Sequence, residues 1–156
     1  MPFELLNPDG LEKPVGYAHV AKITSGKLVY VAGQAPFDAS GAVVGKGDFV
    51  AQFRQVMHNL KLAIEGAGGR PNQFAVLTMY VTDVKAYLAN KKPLGAAYTE
   101  VFGKHFPAMT MVFVTALLDE GAKIELEATA VVPPPRRAKG SRAGAAKRRA
   151  PRRSAR

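Results

Sequence analysis

The chain has 156 residues, enough for one domain, and a formal net charge of +10. Residues 1–132 carry 12 Lys and Arg against 12 Asp and Glu, whereas residues 133–156 carry 10 Lys and Arg and no acid. The fold is therefore electrically balanced and the excess charge is confined to the tail. The absence of Cys excludes disulfides, thiolate metal ligands and a Cys nucleophile.

In chain order, "MPFELLNPDG" lacks a basic region followed by an apolar run, so no signal peptide is expected. No apolar stretch approaches the roughly 18 residues of a membrane span, and a cytoplasmic location is the expectation. His19–Ile23 and Leu28–Ala32 are β-rich runs flanking Thr24, Ser25 and Gly26, which predicts a hairpin. A loop follows, with a short strand at 42–44. Asp48 is a suitable N-cap for a helix whose apolar stripe runs Val50, Phe53, Val56, Met57, Leu60, Ala63, Ile64 and Ala67. Gly68 and Gly69 stop it.

Residues 74–83 alternate, placing Phe74, Val76, Thr78, Tyr80 and Thr82 on one face of a strand. A second helix carries Leu94, Ala97, Tyr98, Val101, Phe102 and His105 on one stripe, with Pro93 in its first turn. The last elements read as a second hairpin, turning at Asp119, Glu120 and Gly121, whose final strand sets Glu125 and Glu127 on one face. The order of elements predicts an α+β domain: one mixed sheet with two helices on one face. The bare face would then expose Phe74, Val76, Tyr80, Val112 or Phe113, and Val131. Apolar area of that extent predicts self-association, the alternative being a sheet folded on itself within one chain.

From 133 onward, "PPPRRAKGSRAGAAKRRAPRRSAR" contains no large apolar side chain, and its composition predicts a disordered basic tail. Arg136, Arg137, Arg148, Arg149, Arg152 and Arg153 would attract nucleic acid or anionic surfaces nonspecifically through counterion release. The alternative is a solvated tail with no partner. The three His residues, His19, His58 and His105, stand on separate elements without ligand spacing, so no metal site is expected. "GKGD" and "GAGG" do not follow the strand-to-helix pattern of a phosphate loop.

The segments "VGYAHV", "LVYVAGQAPFDASGAVVGKGD", "QFRQVMHNLKLAIEGAGG", "VTDV", "HFPAM" and "KIELEATAV" occur in an order that resembles the Rid family, the reactive intermediate deaminases also called YjgF-like proteins. The resemblance spans residues 15–132. It implies a chorismate-mutase-like fold and a homotrimer with ligand clefts between subunits. It also implies a cofactor-free hydrolysis of reactive imines and enamines, such as 2-aminoacrylate, to a ketone and ammonia. Carried over residue by residue, the resemblance makes Glu125 the water-handling acid and Tyr17 a pocket residue. It makes Gly33 the glycine beside the substrate. Glu127 is a secondary candidate. Where the family places a carboxylate-gripping Arg after F-P-A, this chain has Met109; the family's S-G-Q serine is Ala32, and a pocket Asn aligns with Gly95. Met neither donates a hydrogen bond nor carries charge. The expectation is a divergent member acting on an imine or enamine other than a typical 2-imino acid. The alternative is a trimer that holds a small metabolite without turnover.

Overall fold

Asp48 caps the first helix as its position predicts: its carboxylate accepts from the backbone N–H groups of Val50 and Ala51, both at 3.0 Å. The computed structural model describes residues 1–134. In chain order the elements are β1 (Phe3–Leu6), β2 (Val20–Ile23), β3 (Lys27–Gln34), α1 (Phe49–Gly66), a 3-10 turn (Pro71–Gln73), β4 (Phe74–Val81), α2 (Val84–Ala89), α3 (Lys91–Phe102), β5 (Ala108–Phe113) and β6 (Ile124–Val132). The tail positions Arg136, Arg137, Arg148, Arg149, Arg152 and Arg153 lie outside the described residues.

The main sheet is mixed, with strand order β3-β6-β4-β5. β6 runs antiparallel to both neighbours, and β5 runs parallel to β4 through the α2–α3 crossover. α1 and α3 pack on one face. Phe53, Val56, Met57, Leu60 and Ile64 of α1 are buried against Leu77, Met79 and Val81 of β4 and Ile124 and Leu126 of β6. Each such side chain contributes roughly 1.5–3 kcal/mol relative to exposure, so tertiary packing outweighs intrinsic propensity in holding α1. The helix ends in a Schellman arrangement. Gly68, at φ 76°, donates to Glu65 O, and Gly69 donates to Ile64 O.

Several expectations are corrected. Neither predicted hairpin forms. β2 pairs with β1, a strand at the N-terminus that the sequence reading did not anticipate, and β3 pairs with β6. β5 and β6 are separated by β4, because β6 inserts between β3 and β4. The helix expected with Pro93 in its first turn is α3, but it ends at Phe102, so His105 lies beyond it, and a short helix, α2, precedes it; Asn90, between the two, donates from its side chain to Ala86 O at 2.8 Å. There are thus three α-helices among the described residues. The strand expected at 42–44 is a single bridge between Phe37 and Val43.

The bare face is also smaller than expected. A register shift between Phe74 and Val76 turns Phe74 into the helix-side core. Val131 is covered by Phe3, which packs over it and Ala75 from β1. The chain closes one end of its second face with its own N-terminal ribbon. The rest stays open, with Tyr30 76% exposed and Val76 and Val112 each 39% exposed.

Two side-chain networks lock the loops to this frame. Gln52 is fully buried: its Nε2 donates to Gly45 O (3.3 Å) and Gly121 O (2.8 Å), and its Oε1 accepts from Lys123 N (2.8 Å). Asn59 Nδ2 donates to Ala35 O (3.0 Å) and Phe37 O (2.9 Å).

Candidate functional site

β6 alternates strictly. Ile124, Leu126, Ala128 and Ala130 enter the core, so Glu125, Glu127 and Thr129 take the open face. The β6–β4 register sets Glu125 opposite Tyr80 and Glu127 opposite Thr78. β5 continues the row, with Thr110 beside Thr78 and Val112 beside Tyr80. In the described sheet strands this face carries two carboxylates and no Lys, Arg or His. A concavity of about 500 Å³ on it is lined by Tyr30, Ala32, Val76, Thr78, Glu127 and Thr129.

The two acids differ in what they touch. Tyr80 Oη donates to Glu127 Oε1 at 3.0 Å. That bond, then desolvation and the charges of Glu127 and Glu125, push the Tyr80 phenol above its ordinary value. Glu125 is half-buried, and among the described residues its side chain makes no hydrogen bond and no ion pair. It lies against the backbone of Gly33, where a Cβ would overlap its Oε1 and come within 2.8 Å of its Cδ. Glu125 and Gly33 are therefore brought together. Next to Gly33 a second concavity, about 420 Å³, opens between the 34–39 loop and the outer face of α1, lined in part by Phe37, Gln55, His58 and Leu62.

Tyr17 and Met109 lie on neighbouring stretches of chain, apart from Glu125. Ala18 N donates to Pro107 O at 2.9 Å, and Ala18 bridges Ala108 in parallel, so the "GYA" segment lies along the outer edge of β5 beside "FPAM". Tyr17 is half-buried and meets His19 edge-on, with ring centroids 5.3 Å apart. Met109, half-buried, registers with Leu77 and packs against the helix-side core, the opposite sheet face from Glu125. Ala108 pairs with Val76 and Glu125 with Tyr80, so the two groups are separated by about 13 Å along the strands and about 10 Å across them.

Sequence reasoning did not pair Tyr80 with Glu127. Both sit at open-face parity, which was readable. Their adjacency depends on β6 lying beside β4, which was not.

The family model described as endoribonuclease L-PSP matches residues 11–132. The chain belongs to this family, the Rid/YjgF/RutC group. A RutC family protein of Pyrococcus horikoshii is 32% identical over 127 residues, covering 81% of this chain and 96% of that protein. Among solved structures, a Rid family protein of unknown function, YyfB from Yersinia pestis, superposes with a TM-score of 0.76 at 32% identity, covering 85% of this chain and all of that one. The YjgF gene product of E. coli gives a TM-score of 0.57 at 30% identity, covering 80% of this chain and 92% of that one. The fold is thus the YjgF-like α+β fold expected from the motifs. Among the described residues no helix is long and apolar enough to cross a membrane.

Proposed function

We propose that this Rid-family chain is a cytoplasmic homotrimeric hydrolase of a reactive imine or enamine that lacks the carboxylate of a typical 2-imino acid. The observation that carries this reading is the state of Glu125: half-buried, seated on Gly33, its oxygens unengaged among the described residues, while Glu127 is held by Tyr80. A carboxylate so placed can accept a proton from water.

In the reaction as proposed, water oxygen adds to the carbon of the C=N bond while Glu125 takes the water proton. Glu125 then delivers that proton to nitrogen, giving a carbinolamine. Glu125 then takes the hydroxyl proton and passes it to the nitrogen, so that the C–N bond breaks with ammonia as the leaving group and a ketone or aldehyde remains. Water and proton transfer suffice for these steps.

Assembly is part of the proposal. A small substrate cannot touch both Glu125 and the Tyr17–Met109 edge of one copy, given their separation. A cleft in which the Glu125–Gly33 region of one copy meets the Tyr17–Met109 edge of a second would unite them. The exposed Tyr30, Val76 and Val112 supply the contact surface. Met109, with no charge, offers a substrate carboxylate no partner.

Ammonia release from a panel of imines, with and without a carboxylate, tests the reading. Glu125→Gln is expected to lower kcat by about 100-fold or more, the range of general acid–base catalysis, and Glu127→Gln by less than about 10-fold. Equal rates for parent and Glu125→Gln would remove Glu125 from the chemistry, and no ammonia release from any imine would leave a trimer that holds a metabolite without turning it over.

The segregated tail charge supports a second, independent proposal: residues 133–156 attract nucleic acid nonspecifically. A low-salt gel shift is expected to vanish on truncation at Pro133, and a shift that survives truncation would place binding in the folded domain.

A further inference from the structure

We propose that Gly33 is a positioning residue whose missing side chain fixes where the Glu125 carboxylate sits. The backbone does not require glycine here, because Gly33 is absent from the glycines with positive φ and its conformation is open to any L residue. Space requires it. The three nearest atoms to a Cβ at residue 33 are all from Glu125: Oε1, which it would overlap, Cδ at 2.8 Å and Cγ at 3.2 Å.

The register explains how the two come so close. Val31 pairs with Ala128 and Gln34 with Leu126, so β3 advances three residues while β6 advances two. The extra residue is a bulge at Ala32–Gly33, which re-aims the backbone toward the open-face acid. That bulge is anchored. Gln34 Nε2 donates to Ala32 O at 3.1 Å, and the following turn is held by Asn59 through Ala35 O. Glu125 is anchored only through its main chain, in the β6–β4 ladder. When a methyl group is added at residue 33, the carboxylate, which no side-chain hydrogen bond holds, should move and the strand should stay. Gly33 therefore acts on the chemistry through Glu125.

The geometric half of this inference stands apart from the proposed function. The rate effect rests on it, through the role assigned to Glu125. The test uses the full chain and the variants Gly33→Ala, Glu125→Asp and Gly33→Ala/Glu125→Asp. Crystal structures of Gly33→Ala should show β3 unmoved and the Glu125 carboxylate displaced by about 1 Å or more, as a normal carbon separation of roughly 3.5 Å demands. The melting temperature should be nearly unchanged, since a side-chain end gives way. On the active imine, Gly33→Ala should lower kcat by about 10- to 100-fold with a smaller change in KM, the scale of an ångström's misplacement. The shorter Asp withdraws from the added methyl, so the double variant should recover several-fold over Gly33→Ala, whereas Glu125→Asp alone is slower than the parent. A carboxylate that stays in place in Gly33→Ala overturns the inference. So does a double variant whose losses simply add. If no imine is turned over by the parent, the proposed function fails and the crystallographic displacement alone decides the role of Gly33.

Discussion

Tyr80 Oη donates a 3.0 Å hydrogen bond to Glu127 Oε1, joining β4 to β6 across the open face of the sheet. Because that bond favours the protonated phenol, Tyr80 holds its proton to higher pH than a free tyrosine, whose value is about 10. Ultraviolet difference titration of the parent against Tyr80→Phe isolates this ionisation. In Glu127→Gln it should fall back toward the ordinary value, since the hydrogen bond to a carboxylate and its charge are both gone. An unchanged midpoint would show that the pair does not exist in solution.

On the proposed reading, Met109 takes the place of a carboxylate-gripping Arg, and Met109→Arg should alter substrate choice. Met109→Arg lies at the start of β5, where a long stem can run along apolar surface and bring its head to water. A new charge-assisted contact of about 1.5–3 kcal/mol corresponds to roughly a 10- to 150-fold lower KM for imines bearing a carboxylate. Steady-state kinetics on matched imines with and without that group check this. No preference for the carboxylate form would remove Met109 from the cleft.

Gln52 should matter for stability more than its surface neighbours. Gln52→Ala leaves Gly121 O and Lys123 N without their partner in a buried setting, two residues before Glu125. Unsatisfied buried groups cost about 1–3 kcal/mol each, so a loss of about 2–4 kcal/mol is expected by urea denaturation. Lowered activity at full folding would follow from a loosened start of β6. A loss under about 0.5 kcal/mol would mean that water replaces the side chain without cost.

Asp83 caps α2 through Ala86 N and pairs with Lys123 Nζ at 2.8 Å. The hydrogen bond from Lys123, then that from Ala86, holds its carboxyl below the usual aspartate range. With the folded value depressed, its contribution is present above the unfolded value of about 3.9 and is lost as pH falls through the folded one. Thermal melts between about pH 5 and pH 2 should show the parent losing more stability than Asp83→Asn, which keeps a capping side chain. Parallel loss in both would mean that the pair is not formed.

The legible parts of the sequence were those governed by local periodicity. Asp48, the α1 stripe and the Gly68–Gly69 stop all specify one helix, and alternation in 124–132 placed Glu125 and Glu127 together on one face. Strand pairing was not legible, because it is set by contacts remote in sequence. Nothing near Phe3 announces that it will cover Val131, and no feature of the 114–123 connection shows that β6 must cross to lie between β3 and β4. The Phe74 side was misjudged for the same reason: one bulged residue reverses parity beyond it. At the candidate site, the motif resemblance proposed Glu125 and Gly33 separately, and their mutual contact emerged only from the β3 bulge.

The proposal that copies of this chain complete one another's site is tested most directly by sedimentation equilibrium of the full chain at micromolar concentration. The account predicts a single species of three times the 16.7 kDa chain mass. A stable species at 16.7 kDa, with the open sheet face in water, would contradict it.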